Sequence, residues 1–477
     1  MKPLFGREIE MKQLIELKQK KTASLVVLWG RRRVGKSRLA DEFGKSFKRY
    51  YSFQGLGPRK GQTNQDQLNY FSEKLSEYFD LPKFKITSWS EAFKVLSKQT
   101  IGHDCCILLD EISWLGQKDK DFAGKLKDIW DTQLSQNNKL ILILCGSVSS
   151  WIQENILEKT DFIGRISLGI QIEQLPLNFA NLFWPSAKIN KIGDDEKLKA
   201  LLLTGGVPKY LEEIASKIPV DQQIKSKCFN RNGFFFQEFE KIFSDIFARR
   251  AETEKQIVKT LLTQRMTASE IAVKSKKALN GKLTKAINYL VISGFVQEDY
   301  IYKLTGEPSD KVYYRIKDNY LRFYLKLIEP FSKAILTGLS PVKKMENLEG
   351  WDVFKGFQFE NLILSSLEKI FLELSIDTND VIAASPYIQK KNSRIKKGCQ
   401  IDLLIQVRKN VYYVCEIKSG NINKNVIKEV NDKIDAIKWP KRATIKSILI
   451  CFQIDGDLKE LLEEDFHKVI TFSELLS

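Results

Sequence analysis

Few residues in this chain could build a metal or disulfide framework. Histidine occurs only at His103 and His467 in 477 residues. The seven cysteines are an odd number, and no two form a Cys-x-x-Cys pair. A structural zinc site would therefore lack its usual ligand set. Cys105, Cys106, Cys145, Cys415 and Cys451 all sit in apolar runs. They read as buried thiols in a reducing cytoplasm, not as a disulfide frame. No apolar stretch approaches the roughly 20 residues that cross a bilayer. The N-terminus, Met1-Lys-Pro-Leu-Phe-Gly-Arg-Glu8, has no apolar core of the kind that directs secretion. These absences predict a cytoplasmic chain with no membrane partner.

The composition is that of a globular protein, 43% hydrophobic and 28% charged, and the length predicts more than one domain. The net charge of +17 is less ordinary. A basic surface attracts nucleic acid or acidic membrane, or simply keeps a protein in solution.

The most informative stretch is Leu25-Val-Val-Leu-Trp-Gly30-Arg-Arg-Arg-Val-Gly35-Lys36-Ser37. Leu25–Trp29 is a short continuous apolar run, as in a strand buried on both faces. It breaks at Gly30 into G-x-x-x-x-G-K-[ST], and Arg38-Leu-Ala-Asp-Glu-Phe43 then opens a helix. Strand, glycine loop and helix are the context a phosphate-binding loop requires. Gly30 and Gly35 allow backbone N–H groups to close around phosphate oxygens, and the helix N-terminus adds partial positive charge. The predicted nucleotide contacts are Gly30, Arg31, Arg32, Arg33, Val34, Gly35, Lys36, Ser37 and Arg38. Lys36 can reach the β- and γ-phosphates, and Ser37 offers a hydroxyl to Mg²⁺.

Further motifs follow in order. Phe5-Gly-Arg-Glu8 precedes an amphipathic helix, and Gly6 and Arg7 either border the nucleotide base or merely start that helix. Cys105-Cys-Ile-Leu-Leu-Asp110-Glu111 is a buried strand ending in two acids, about 70 residues after the loop. Asp110 is placed to hold Mg²⁺, and Glu111 to orient and deprotonate an attacking water. The strand Leu140–Cys145 ends in Gly146-Ser147, where Ser147 either senses the γ-phosphate or caps the next helix. Arg165 either stabilises a transferring phosphoryl group, in cis or from a neighbouring subunit of a homo-oligomer, or is a surface arginine at a strand start. Leu203-Thr-Gly-Gly206-Val-Pro208 reads as a helix, a glycine break and a new helix.

Taken together, Phe5–Glu8, Gly30–Ser37, Leu109–Glu111, Cys145–Ser147, Gly164-Arg165 and Gly205–Pro208 resemble the archaeal-type P-loop ATPases, relatives of the AAA and STAND groups. The resemblance covers about the first 230 residues. It implies ATP as the nucleotide, Arg165 as an arginine finger, and Gly206 to Pro208 as a contact from a helical lid. Ser147 departs from the asparagine common at sensor positions in the wider AAA group.

Helical patterns over Phe234–Arg250, Glu252–Thr263 and, with Lys282 and Lys285, about Ala278–Ser293 precede two alternating strands around Thr305-Gly-Glu-Pro-Ser309. Thr267-Ala-Ser-Glu270 is a capping-box signature. This order predicts a winged helix. Its basic third helix either enters a major groove, packs on the ATPase to relay nucleotide state, or presents a solvated face.

Near the C-terminus, Gly356–Phe371 reads as one amphipathic helix, and Lys390-Lys-Asn-Ser-Arg394-Ile-Lys396-Lys397 as a basic loop. Ile401–Val407 and Val411–Lys418 are strands split by Arg408-Lys-Asn410. Glu416 and Lys418 share one face of their strand, and Asp402 on the partner strand reaches the same place. Two carboxylates suit Mg²⁺ or Mn²⁺, and a lysine beside the metal helps to deprotonate water for phosphodiester attack. With Glu360 on the preceding helix, this resembles the PD-(D/E)XK nuclease fold, although Ile401 stands where a proline is usual. A charged hairpin edge is the plainer reading.

The sequence therefore predicts an α/β protein in three parts. Residues 1–230 form a P-loop NTPase parallel sheet with a helical lid, 231–345 a winged helix with a linker helix, and 346–477 an α/β PD-(D/E)XK-like domain. The expected partners are ATP, Mg²⁺ and DNA. Nucleotide state either controls a metal-dependent nuclease or switches a DNA-binding or signalling regulator whose nuclease-like domain is inert.

Overall fold

The apolar run Leu25–Leu28 alternates between two cores, which is why it carries no polar residue. Leu25 and Val27 join one cluster with Phe53, Phe71 and Trp89. Val26 and Leu28 join another with Leu14, Leu39 and Phe43. Both faces of the sheet are thus covered, as parallel strands demand. In the computed structural model, which describes residues 4–59, 61–147, 150–158, 160–184, 192–214, 217–247, 251–339, 344–391 and 397–477, the contacts divide the chain into two units, Met1–Glu173 and Gln174–Ser477.

The first unit holds β1 (Ser24–Gly30), β2 (Arg49–Gln54), β3 (Cys105–Asp110), β4 (Leu140–Ser147) and β5 (Ile166–Gln171). All pairings are parallel, in the order β2-β3-β4-β1-β5. Strand β4 lies between β1 and β3, so the loop after β1 and the acids after β3 are separated by one strand's width. The chain begins with the helix Glu8–Gln19, which buries Leu14 and Leu17.

In the second unit, the helices Ala251–Thr260, Ala268–Lys274 and Gly281–Ile292 precede an antiparallel pair, β6 (Val296–Tyr302) and β7 (Pro308–Ile316). The capping box forms as the sequence implies, with Thr267 accepting from the Glu270 amide. A mixed sheet follows, of β8 (Val381–Gln389), β9 (Cys399–Val407), β10 (Val411–Lys418), β11 (Thr444–Cys451) and β12 (Lys468–Thr471). Its order is β12-β11-β10-β9-β8. The three strands from β8 to β10 are antiparallel, and β10, β11 and β12 run parallel. Lys409 and Asn410 take left-handed conformations in the tight β9–β10 turn, at φ 66° and 59°.

Several boundaries differ from the sequence reading for local reasons. The helix expected over Gly356–Phe371 is two, Trp351–Leu364 and Leu367–Glu373. Ser365 and Ser366 turn their hydroxyls back to the carbonyls of Asn361 and Leu362, at 2.8 and 3.1 Å, and the helix ends there. The basic helix starts at Gly281, not Ala278, because Asn280 caps the amides of Lys282 and Leu283. Strand β7 begins at Pro308, within the segment Thr305–Ser309 expected to lie between the two strands. Of the basic loop, residues 392–396, including Arg394 and Lys396, lie outside the described residues. Among the described residues, no helix is long and apolar enough to cross a membrane.

The glycine break is tight. Gly205 has φ 53°, and a Cβ on Gly206 would lie 1.7 Å from the Leu175 carbonyl oxygen. The Leu175 amide in turn donates to the Gly206 carbonyl at 2.7 Å. Gly206→Ala is expected to cost about 3 kcal/mol or more, because the opposing atom is backbone and cannot rotate away. A thermal melt unchanged from wild type would refute this packing.

Candidate nucleotide site and acidic cleft

The carboxyl ends of β1, β3 and β4 bring the first site together. Gly30, the last residue of β1, pairs in register with Ser147, the last of β4. Its φ is 148°, and a Cβ there would sit 2.3 Å from the Ile172 carbonyl oxygen, so only glycine fits. Gly35 has φ 94° and precedes the helix Lys36–Gly44, whose first amides face the loop. Lys36 is buried and donates from Nζ to the carbonyls of Gly30 and Arg31, at 3.2 and 2.9 Å. Burial lowers its pKa, and Cys145, Glu111 and Asp110 partly offset that effect. The amide of Glu111 donates to Asp110 Oδ1 at 3.0 Å, and Glu111 itself adopts φ 48° and ψ 50°. Burial raises the Glu111 carboxyl, while the neighbouring Lys36 ammonium opposes the shift.

Two buried oxygens here have no hydrogen-bond partner: Glu111 Oε2 and Ser147 Oγ. Unsatisfied polar atoms in a buried site call for an account. Both lie at the end of the sheet where Lys36 and the helix N-terminus converge, the place where α/β sheets take ligands.

The other loop residues fall into place around them. Arg31 is buried, Arg32 lies 5.3 Å from the Trp114 ring centroid, and Arg33 is exposed with φ 73°. Val34 is buried, whereas Ser37 and Arg38 are half-buried. Arg7 is buried deeply enough to act as a brace. It donates to the Val34 carbonyl at 3.1 Å and the Glu173 carbonyl at 2.5 Å, and pairs with Glu10 at 3.1 Å. Arg165 makes a two-pronged pair with Asp131, at 2.7 and 2.8 Å. Pro208 belongs to the second unit, where it opens the helix Pro208–Glu212 at its first position.

The second site lies on the hairpin of β9 and β10. Asp402 Oδ2 accepts from the Ile417 amide at 3.0 Å. Glu416 is buried with an ammonium group on each oxygen, Lys418 on Oε1 at 3.0 Å and Lys433 on Oε2 at 2.5 Å. Lys418 also reaches Glu429 at 2.9 Å. Burial would lower the Lys418 pKa, but Glu429 and Glu416 together raise it. Asp402 is pushed up to about 7, first by burial and then by the charges of Glu416 and Glu360. Glu360 comes from the helix Trp351–Leu364 and is paired with Arg265. An open cleft of about 470 Å³ is lined by Asp402, Glu416, Lys418 and Lys433 together. Among the described residues, no group of three or more His, Cys, Asp or Glu is arranged to hold a metal ion. A divalent cation would have to draw on two carboxylates and on water or phosphate oxygens, which is a usual arrangement for Mg²⁺.

Lys433 lies outside every motif named in the sequence, although a signal for it exists. The helix Asn425–Asp435 buries Val426 and Val430, and Ile437 beyond it is also buried. Lys433 continues that stripe at helical spacing, where an apolar residue belongs.

Residues 4–214 match the family of ATPase domains predominantly from Archaea. That match supports ATP binding and hydrolysis by this segment. An uncharacterized protein of Methanocaldococcus jannaschii is 25% identical over 403 residues, which covers 83% of each chain. The Walker-type ATPase of Pyrococcus abyssi is similar at 18% identity and a TM-score of 0.49, over 68% of this chain and 96% of its own. The ORC2 protein of Aeropyrum pernix is similar at 11% identity and a TM-score of 0.41, over 70% of this chain and 96% of its own. The fold is α/β, with a five-stranded parallel sheet of the P-loop NTPase kind and a mixed C-terminal sheet.

Proposed function

We propose that this chain is an ATP-hydrolysing switch whose nucleotide state controls a DNA-directed, metal-dependent C-terminal nuclease domain. The observation that carries the ATP half is the buried lysine folded over its own glycine loop beside an unpartnered Glu111 oxygen. Lys36 would turn from the loop carbonyls to the β- and γ-phosphates, Ser37 and Asp110 would hold Mg²⁺, and Glu111 would orient and deprotonate the attacking water. Bound Mg²⁺ supplies charge neutralisation on the phosphate oxygens. Ser147 is the γ-phosphate sensor, and its unpartnered hydroxyl supports that role. Arg165 would have to leave Asp131 to act as an arginine finger, in cis or on a neighbouring copy in a homo-oligomer. Pro208 belongs to the helical lid.

Residues 1–230 are read as the ATPase with its lid, 231–345 as a winged helix with a linker helix, and 346–477 as a PD-(D/E)XK-like domain. The three helices before β6–β7 support the winged helix. For the nuclease, Asp402 and Glu416 meet on adjacent strands, with Lys418 on the same face. They would hold Mg²⁺ or Mn²⁺ while Lys418 helps to deprotonate water. DNA as the partner draws on the net charge of +17.

The test is to incubate the protein with linear, circular and single-stranded DNA, with Mg²⁺ or Mn²⁺, with and without ATP. Metal-dependent cutting that disappears in Asp402→Ala is the expected result. Binding without cutting would support the second reading, an ATP-switched regulator with an inert nuclease-like domain. One observation favours that reading: both oxygens of Glu416 are already occupied by lysines.

A further inference from the structure

The two lysines on Glu416 are not equivalent. Lys418 has a second acid, Glu429, at 2.9 Å, so it can leave Glu416 and remain paired. The ion pair of Lys433 is with Glu416, at 2.5 Å. Lys433 also acts electrostatically on Asp402, whose carboxyl it pulls down against the effect of burial. It therefore serves both candidate ligands at once, from a helix position where the buried stripe Val426, Val430 and Ile437 calls for an apolar side chain. An ammonium in such a stripe costs stability unless it is paired. Its position is explained if the acids need a cation there.

We propose that Lys433 is a built-in counter-cation that competes with divalent metal for Glu416, so that metal entry requires its ammonium to withdraw. This rests on reading Asp402 and Glu416 as metal ligands, and it adds what sets the affinity of that site. A tethered ammonium and a divalent ion cannot both sit 2–3 Å from one carboxylate oxygen, because like charges at that separation repel strongly. Once displaced, Lys433 would face the same cleft as Lys418 and become available to a phosphate oxygen of the substrate. No bond is made or broken in this exchange, only the partner of Glu416.

The test is Mn²⁺ binding to the full chain without nucleotide or DNA, followed by the paramagnetic signal of free Mn²⁺, with Asp402→Asn as the background. Lys433→Met keeps the length of the stem and removes the charge. It is expected to tighten Mn²⁺ binding at least tenfold, whereas Lys433→Arg should leave it near wild type. Should the Met variant fail to fold, Lys433→Gln carries the same expectation. Equal affinity in wild type and the neutral variants would overturn the proposal while leaving the metal site standing. Loss of any Asp402-dependent Mn²⁺ binding in every variant would overturn the metal site, and this proposal with it.

Discussion

Lys36→Ala is expected to weaken ATP binding by about a hundredfold, read by calorimetric titration of the nucleotide. The side chain is 6% exposed, and its ammonium is already desolvated and held over the loop by two carbonyls. It would reach a phosphate oxygen without first losing its hydration shell. Truncating one partner of such a buried charge pair costs about 3 kcal/mol, which is about two decades in affinity. The variant also takes from Glu111 the cation that offsets its burial, so the carboxyl should move further up and hydrolysis should fall more than binding. Undiminished affinity in a folded variant would remove the nucleotide site from this loop.

Asp402→Asn is expected to stabilise the metal-free protein, and only above acid pH. In metal-free protein the folded-state pKa of Asp402 is pushed up to about 7, well above its value in the unfolded chain. The folded state then binds the extra proton between pH 4 and 7, so its stability falls as pH rises through that window. Below pH 4 both states are protonated and the cost is absent. Above pH 7 it is complete. Asparagine removes the charge, so melts in EDTA should show a gain of about 4 kcal/mol at pH 8 and almost none at pH 4. Adding Mn²⁺ should reverse the order, because only the wild-type carboxylate can be a ligand. A gain independent of pH would mean that neither burial nor Glu416 sets the charge of Asp402.

Much of this was legible from residue order because it depends on local rules. A run such as Leu25–Leu28 without polar residues states that both faces of the strand are covered, and two cores meet it. The glycine loop, the acids after β3 and the capping box at Thr267 are likewise short-range patterns. The misplacements came from competition that residue type alone does not settle. Ser365 and Ser366 could have continued a helix, but their hydroxyls take the carbonyls of its last turn. The roles of Arg7 and Lys433 depend on partners distant in sequence. Arg7 meets Val34 and Glu173, and its helical setting gave no hint of either. Lys433 did leave a trace, a charge in an apolar stripe, that is interpretable only once Glu416 is known to face it.

The brace from Arg7 makes the front of the chain part of the phosphate loop. A shortened version starting at Glu8 would keep both glycines of the loop, the lysine and both acids, and by the loop motif would look complete. It would nonetheless lack the Arg7 guanidinium that ties the carbonyl of Val34 to that of Glu173. The glycine loop is thus braced by a side chain that lies outside the motif itself.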